Sequence, residues 1–185
     1  MPKAKGKGAN FERTMCRKLS MWISYGERDD LFWRTAMSGG RATVKLAQGK
    51  KALAQAGDMT AIDPLGMPFH ELFFTEFKHY NGLEYHQLVL GANKGRAVKF
   101  WKKTCAEAKK YDKYAFMVTR QNYLPDVLWL QEECILDVLV NNMAYINSYS
   151  TAKIIPVQAR LFLLDTFLEV VPPEWLSQKT SLKNS

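Results

Sequence analysis

The spacing of apolar residues constrains the fold most strongly, because it alternates along the chain between helical and strand-like periods. A helix is predicted from Phe11 to Tyr25, with Asn10 as its N-cap and Gly26 at its end. A second helix is predicted within residues 94–111, where one face is marked by Val98, Trp101, Cys105 and Ala108. Residues 132–146 are predicted to form a third helix.

Between and after these helices lie short runs with the composition of β-strands. The order of helices and strands predicts an α/β or α+β domain, and we favour an α/β domain with a mixed central β-sheet flanked by helices. Asp63-Pro64-Leu65-Gly66 has turn chemistry and predicts a β-hairpin between the second and third strands. The predicted strands are Leu31–Thr35, Gly57–Ile62, Phe69–Tyr80, Tyr114–Arg120, Val127–Leu130, Lys153–Val157 and Arg160–Leu164.

The length of 185 residues fits a single domain, which we place at residues 10–176. Residues 1–9 carry three lysines and almost nothing apolar, so a flexible basic tail is expected there, and residues 177–185 read as a polar C-terminal tail. The chain has no apolar run that could span a bilayer and no signal-peptide pattern, which favours a cytoplasmic protein without a membrane partner. Its three cysteines lack metal-binding or disulfide-framework spacing.

The charge balance favours a polyanionic partner, since 26 basic residues outnumber 18 acidic ones. No acidic residue lies between Asp30 and Asp58, a segment rich in glycine and basic residues. Such a segment can drape over DNA phosphates, although a solvated loop without a role is the alternative. The candidate DNA-binding residues in it are Ser38, Arg41, Lys45, Lys50 and Lys51.

Glu76, Phe77 and Lys78 lie in the most strand-like stretch of the chain. Side chains at positions i and i+2 of a strand share a face, so Glu76 and Lys78 should point the same way, either as a catalytic pair or as an exposed ion pair. The predicted hairpin would bring Asp58 near them as a second oxygen ligand for a hard divalent cation. A tight hairpin would instead place Asp58 near Glu71, so a wider or bulged hairpin is required.

Glu12 is a third acidic candidate. It falls on the stripe of the first helix that also carries Cys16, Leu19 and Ile23 and that should face the core. A carboxylate on a buried face needs a partner, and a metal ion or Lys78 would serve. Alternatively, Glu12 merely favours the positive end of its helix.

The order of Glu12, Gly57-Asp58 and Glu76-Phe77-Lys78 resembles the PD-(D/E)XK nuclease superfamily, especially its Holliday-junction resolvase-like branch and phage-type nucleases. The resemblance extends approximately from residue 8 to residue 130 and implies a restriction-endonuclease-like core. It implies that Asp58, Glu76 and the Phe77 carbonyl hold Mg²⁺, for which Mn²⁺ would substitute. Glu12 would contact the metal directly or through water, and Lys78 would position or activate the attacking water. Gly57 stands where the superfamily name has proline.

The resemblance implies a Mg²⁺-dependent, structure-selective DNA endonuclease, and we expect a Holliday-junction resolvase that acts in DNA recombination as a homodimer. If the chain is phage-encoded, its compartment would be the host cytoplasm. Two alternatives remain open. One is another PD-(D/E)XK nuclease with a restriction, repair or phage DNA-degrading role. The other is a non-catalytic DNA-binding module, which would be favoured if Glu76 and Lys78 pointed into solvent as an ion pair.

Overall fold

The computed structural model describes residues 4–35, 57–91, 94–138, 148–154 and 157–174. Helix α1 spans Ala4–Ile23 and buries the predicted apolar stripe, including Phe11, Met15 and Leu19. Gly26 ends this helical segment with a positive φ of 89°, and its N–H donates to the Met21 carbonyl at 2.7 Å.

The start of α1 differs from the prediction of a helix that begins at Phe11. Residues 4–9, predicted as part of a flexible basic tail, form the first turns of the helix. Alanine and lysine favour helices, and helical hydrogen bonds are local, so this extension needs no apolar face of its own. Asn10 consequently lies inside the helix, where its side-chain oxygen accepts a hydrogen bond from Arg13 at 3.0 Å.

The central feature is a five-stranded mixed sheet in the order β3-β4-β5-β7-β6, which confirms the predicted α/β class. Strands β3 and β4 are parallel and are connected through a helical crossover, whereas all other neighbours in the sheet are antiparallel. Strand β3 therefore forms one edge of the sheet. The strands are β3 (Phe73–Tyr80), β4 (Tyr114–Gln121), β5 (Val127–Gln131), β6 (Ser150–Ile154) and β7 (Ala159–Leu163).

Helices cover both faces of this sheet. The apolar side of α1 packs on one face together with the short helix α6 (Leu164–Val170), and Phe11 contacts Phe77 of β3 edge to face at 6.3 Å between ring centroids. Helix α4 (Arg96–Lys110) packs on the other face through Trp101. Because side chains alternate along a strand, odd-numbered residues of β3 face α1 and even-numbered ones face α4. No helix in the described segments is long and apolar enough to cross a membrane.

The predicted β-hairpin is wrong. Strand β2 (Met59–Ala61) pairs antiparallel with β1 (Phe32–Arg34) in a separate two-stranded sheet. The chain then enters a 3₁₀ turn at Pro64–Gly66 and helix α2 (Met67–Leu72) before β3 begins at Phe73. Asp63 accepts a hydrogen bond from the Leu65 N–H at 2.9 Å, so the Asp-Pro pair caps a helical turn here.

The short helices were the elements hardest to predict. Neither α3 (Tyr85–Val89) nor α6 was expected, because five to seven residues are too few to display a helical repeat. Helix α5 (Glu132–Val138) confirms the start of the predicted third helix, whereas residues 139–147 lie outside the described residues. The edge strand β6 lies three residues earlier than predicted.

Candidate active site

Asp58 is fastened to the free edge of β3. Its N–H donates to the Thr75 carbonyl at 2.9 Å, and its side-chain oxygen Oδ2 accepts from the Phe77 N–H at 2.8 Å. Its residue surface is only 3% exposed. The expected proximity of Asp58 to Glu76-Phe77-Lys78 is thus found, although pairing along the edge of β3 creates it instead of a hairpin.

Gly57 makes this close approach possible. Its φ of +85° is inaccessible to proline, whose ring fixes φ near −65°, so this backbone explains the glycine where the superfamily name has proline. A Cβ atom at this position would lie 2.5 Å from the Thr75 carbonyl oxygen. Glycine is therefore required both by the conformation and by the contact with β3.

Glu76 and Lys78 share the α4 face of β3, as their spacing predicted, and form an ion pair. Their side chains are only 18% and 24% exposed, and the Lys78 ammonium lies 5.8 Å from the centroid of the Phe100 ring. Phe73 and Phe77 are buried on the opposite face. The pair is therefore enclosed between strand and helix and does not point into solvent.

The electrostatics of this pair indicate a crowded acidic site. Burial raises the pKa of Glu76, and the charge of Asp58 raises it further, while Lys78 and Lys103 of α4 oppose the shift. Burial acts to lower the pKa of Lys78, but the charges of Glu76 and Asp58 outweigh it and the net pKa is raised. Lys78 therefore stays protonated at neutral pH.

Glu12 has a different partner from those expected. Its carboxylate forms an ion pair with Arg34 at the end of β1, with Glu12 14% and Arg34 32% exposed. Cys16 lies one turn along α1 from Glu12. The pKa of its thiol is raised to about 12, chiefly by burial, and the charges of Glu12 and Asp58 contribute to the increase. Arg34 was not identified as the partner of Glu12 because 22 residues separate the two and no local spacing links them.

The residues at the edge of β3 provide suitable ligands for a hard divalent cation. Within the described residues no group of three or more His, Cys, Asp or Glu side chains is arranged to hold a metal ion. Two carboxylates, Asp58 and Glu76, nevertheless lie close enough for the charge of one to raise the pKa of the other. The N–H and C=O of a strand residue point to the same side, so the Phe77 carbonyl is directed toward the edge that Asp58 occupies. Such oxygen donors suit Mg²⁺ and Mn²⁺.

The candidate DNA-binding residues Ser38, Arg41, Lys45, Lys50 and Lys51 lie outside the described residues. The ends of their segment are nevertheless defined. The Thr35 N–H donates to the Asp58 carbonyl at 3.0 Å, and Gly57 packs on β3. The described residues that flank positions 36–56, Thr35 and Gly57, therefore both lie beside Asp58.

Comparison with known proteins gives one informative match. A family model described as "Phage putative PDDEXK endonuclease" matches residues 3–178, nearly the whole chain. Neither curated proteins nor solved structures give a significant match.

Proposed function

The chain belongs to this phage PDDEXK endonuclease family, and on that premise we propose that it is a Mg²⁺-dependent endonuclease that hydrolyses phosphodiester bonds in DNA. We further propose branched DNA, in particular the four-way junction, as its preferred substrate. Paired incision of a four-way junction requires two active sites, so the proposal includes a homodimer. These finer assignments rest on the resemblance to the resolvase-like branch; a restriction, repair or DNA-degrading substrate would use the same catalytic residues.

One observation carries the proposal of catalysis: Asp58 is hydrogen-bonded to β3 beside the half-buried pair of Glu76 and Lys78. An ordinary surface ion pair would be exposed and would contribute little to stability. Here two carboxylates and an ammonium are enclosed at one place, and the charge of Asp58 acts on both members of the pair. That enclosure argues against a non-catalytic DNA-binding module, which was the expectation for a solvent-exposed pair.

Each residue of the candidate site has a separate role in the proposed hydrolysis. Asp58, Glu76 and the Phe77 carbonyl would hold Mg²⁺, which when bound supplies positive charge against the scissile phosphate. Lys78, paired with Glu76 on the same face of β3, would position or activate the attacking water. Attack of water on phosphorus forms one P–O bond and breaks the bond to the leaving sugar oxygen. The attacking water gives up a proton to the surrounding solvent, and the leaving oxygen takes one up. Glu12, which forms an ion pair with Arg34, would contact the metal directly or through water.

Two basic surfaces would hold the DNA. The first is the segment after β1, with Ser38, Arg41, Lys45, Lys50 and Lys51, because both its ends lie beside Asp58. The second is the exposed side of α4, where the charge of Lys103 acts to lower the pKa of Glu76. Reversing the charge of Lys50 and Lys51 should weaken binding to all DNA sequences alike, and each lost phosphate contact should reduce the log-log salt slope by about 0.9. An unchanged slope would remove these lysines from the interface.

The proposed function is tested with purified protein, Mg²⁺ and matched linear, nicked, forked and four-way DNA, with EDTA as the control. We expect paired cuts near the branch point of the four-way DNA. Equal cleavage of all four substrates would reject junction selectivity and leave a general nuclease. Absence of cleavage with either Mg²⁺ or Mn²⁺ would reject the nuclease itself.

A further inference from the structure

A groove with a cavity volume of about 350 Å³ lies between α1 and β1, outside the set of residues assigned to catalysis. Arg13, Cys16 and Arg17 form its α1 wall, since residues three and four apart share one side of a helix. Trp33 and Arg34 contribute from β1, and the carboxylates of Asp29 and Asp30 also line the groove. Asp29 lies near Arg17, and Asp30 pairs with Arg28. The groove adjoins the acidic site, because Arg34 pairs with Glu12 and the charges of Glu12 and Asp58 both reach Cys16.

Trp33 is the unusual member of this lining. It is 65% exposed, whereas Trp22, Trp101 and Trp129 are at most 9% exposed. Its neighbour Phe32 points into the core and is 3% exposed, so the alternation of β1 directs the Trp33 indole outward. An exposed indole beside cationic groups is the combination that proteins use to stack nucleobases while binding the flanking phosphates.

The arginines of the groove differ in the strength of the contacts that they make with other side chains of the protein. Arg34 is committed to Glu12 in an ion pair with limited exposure. Arg13 donates to the side chain of Asn10, a neutral partner. Arg17 lies 3.8 Å from Asp29, and both side chains are more than half exposed, so this contact is weak and a phosphate can replace it. Arg13 and Arg17 are therefore the donors available to an anion.

We propose that this groove binds an unpaired nucleotide of the DNA substrate, with its base stacked on Trp33 and its flanking phosphates bound by Arg13 and Arg17. Bases within a duplex are already stacked and their faces are covered, so the indole selects single-stranded DNA, as found at a flap, an overhang or an opened branch point. The inference rests on the proposed function, since it assigns the groove to the same DNA that the acidic site cuts.

The test measures binding in EDTA, so that no cleavage occurs, by fluorescence anisotropy of three labelled DNAs: a 12-nucleotide single strand, its blunt duplex, and the duplex with a single-stranded tail. Trp33→Ala should weaken binding of the single strand and the tailed duplex about tenfold, the loss expected for one base–aromatic stack, and leave the blunt duplex unchanged. Trp33→Phe should retain most of the affinity. Tyr123→Ala, which removes a fully exposed aromatic side chain from the turn after β4, is the matched control and should bind like the unaltered protein.

Two further measurements identify the contacts. Single-stranded DNA should quench the tryptophan emission of the unaltered protein, and Trp33→Phe should abolish that quenching. Arg17→Gln should reduce the salt slope for single-stranded DNA by about 0.7, the value for one phosphate contact.

The possible failures are distinguishable. Equal weakening of single-stranded and blunt DNA by Trp33→Ala, or no weakening of either, would overturn the stacking site and leave the nuclease proposal intact. Loss of self-association in Trp33→Ala with normal oligonucleotide binding would assign the groove to a contact between two copies and also overturn the proposal. If the unaltered protein bound none of the three DNAs in EDTA but cleaved DNA in the presence of Mg²⁺, this inference would fail and the proposed function would stand.

Discussion

Replacing Gly57 by alanine tests whether the edge of β3 sets the geometry of the site. The positive φ at this position alone costs about 1 to 2 kcal/mol for a residue with a Cβ atom. The new Cβ would lie 2.5 Å from the Thr75 carbonyl oxygen, while ordinary contact begins at 3.4 Å, so the chain must retreat by about 0.9 Å. The hydrogen bond from the Phe77 N–H to Asp58, now 2.8 Å, would then exceed hydrogen-bonding distance. A misplacement of this size can cost about 100-fold in rate, which is the expected loss in single-turnover cleavage.

Gly26→Ala is the matched control for this substitution. Gly26 has nearly the same φ, +89°, but nothing lies within 4 Å of the position its Cβ would take. It should therefore lose a similar 1 to 2 kcal/mol from the positive φ and keep its cleavage rate. Thermal melts of both variants and single-turnover assays below their midpoints separate strain from misplacement. If Gly57→Ala cleaved DNA as fast as Gly26→Ala, the edge of β3 would not be what positions Asp58 for catalysis.

Three further predictions concern buried charge. Glu76→Ala and Asp58→Ala should each abolish cleavage while DNA binding persists or tightens, because a carboxylate proposed to bind the metal is lost and negative charge beside the phosphates falls. Gel-shift and cleavage assays on the same preparations check this. Lys78→Met should keep the packing of the side-chain stem and the proposed binding of magnesium but lower single-turnover cleavage by a factor of about 100 or more. Calorimetry measures magnesium binding, and rapid-quench assays measure the cleavage rate. Lys113→Met should stabilise the protein at pH 7 by on the order of 1 to 3 kcal/mol, because burial lowers the pKa of Lys113 from 10.5 to about 8 and its protonation therefore favours unfolding.

The outcomes against these predictions are equally concrete. Cleavage at the unaltered rate by both carboxylate variants would refute the metal assignment, and normal cleavage by stably folded Lys78→Met would reduce that lysine to a structural ion pair. For Lys113 the charge-dependent part of the stability difference should shrink as the pH rises through 8 toward 10.5 and vanish above it, since the lysine is then neutral in both states. The part that remains comes from packing and from the hydrogen bond that Lys113 donates to the His70 carbonyl. A difference that does not depend on pH would mean that packing, not charge, is responsible. The exposed Lys109→Met is the control.

Local patterns in the sequence predicted those parts of the site that depend on local geometry. The two-residue period of a strand placed Glu76 and Lys78 on one face, and the helical stripe of α1 placed Glu12 and Cys16 together. Both predictions needed only the repeat of a single element.

Pairings between distant segments were not accessible in the same way. Asp58 reaches β3 because β2 pairs with β1, and Asp63-Pro64 has similar turn chemistry whether it closes a hairpin or caps a helical turn. The partner of Glu12 lies on β1, where neither spacing nor composition distinguishes Arg34 from other arginines. Such contacts depend on tertiary packing, which overrides the local signal.

The hydrogen bond between Thr35 and Asp58 has a consequence for how proteins of this family can diversify. Twenty-two residues lie between Thr35 and Asp58, and these two residues are held together by the ladder of β1 and β2 and by the 3.0 Å hydrogen bond from the Thr35 N–H to the Asp58 carbonyl. The length of a surface connection enters the free energy of unfolding only as a slowly growing logarithmic term. If the residues between them contact DNA as proposed, insertions, deletions or replacements there would change which DNA is bound without moving the proposed catalytic residues. Substrate choice and bond cleavage could then evolve separately.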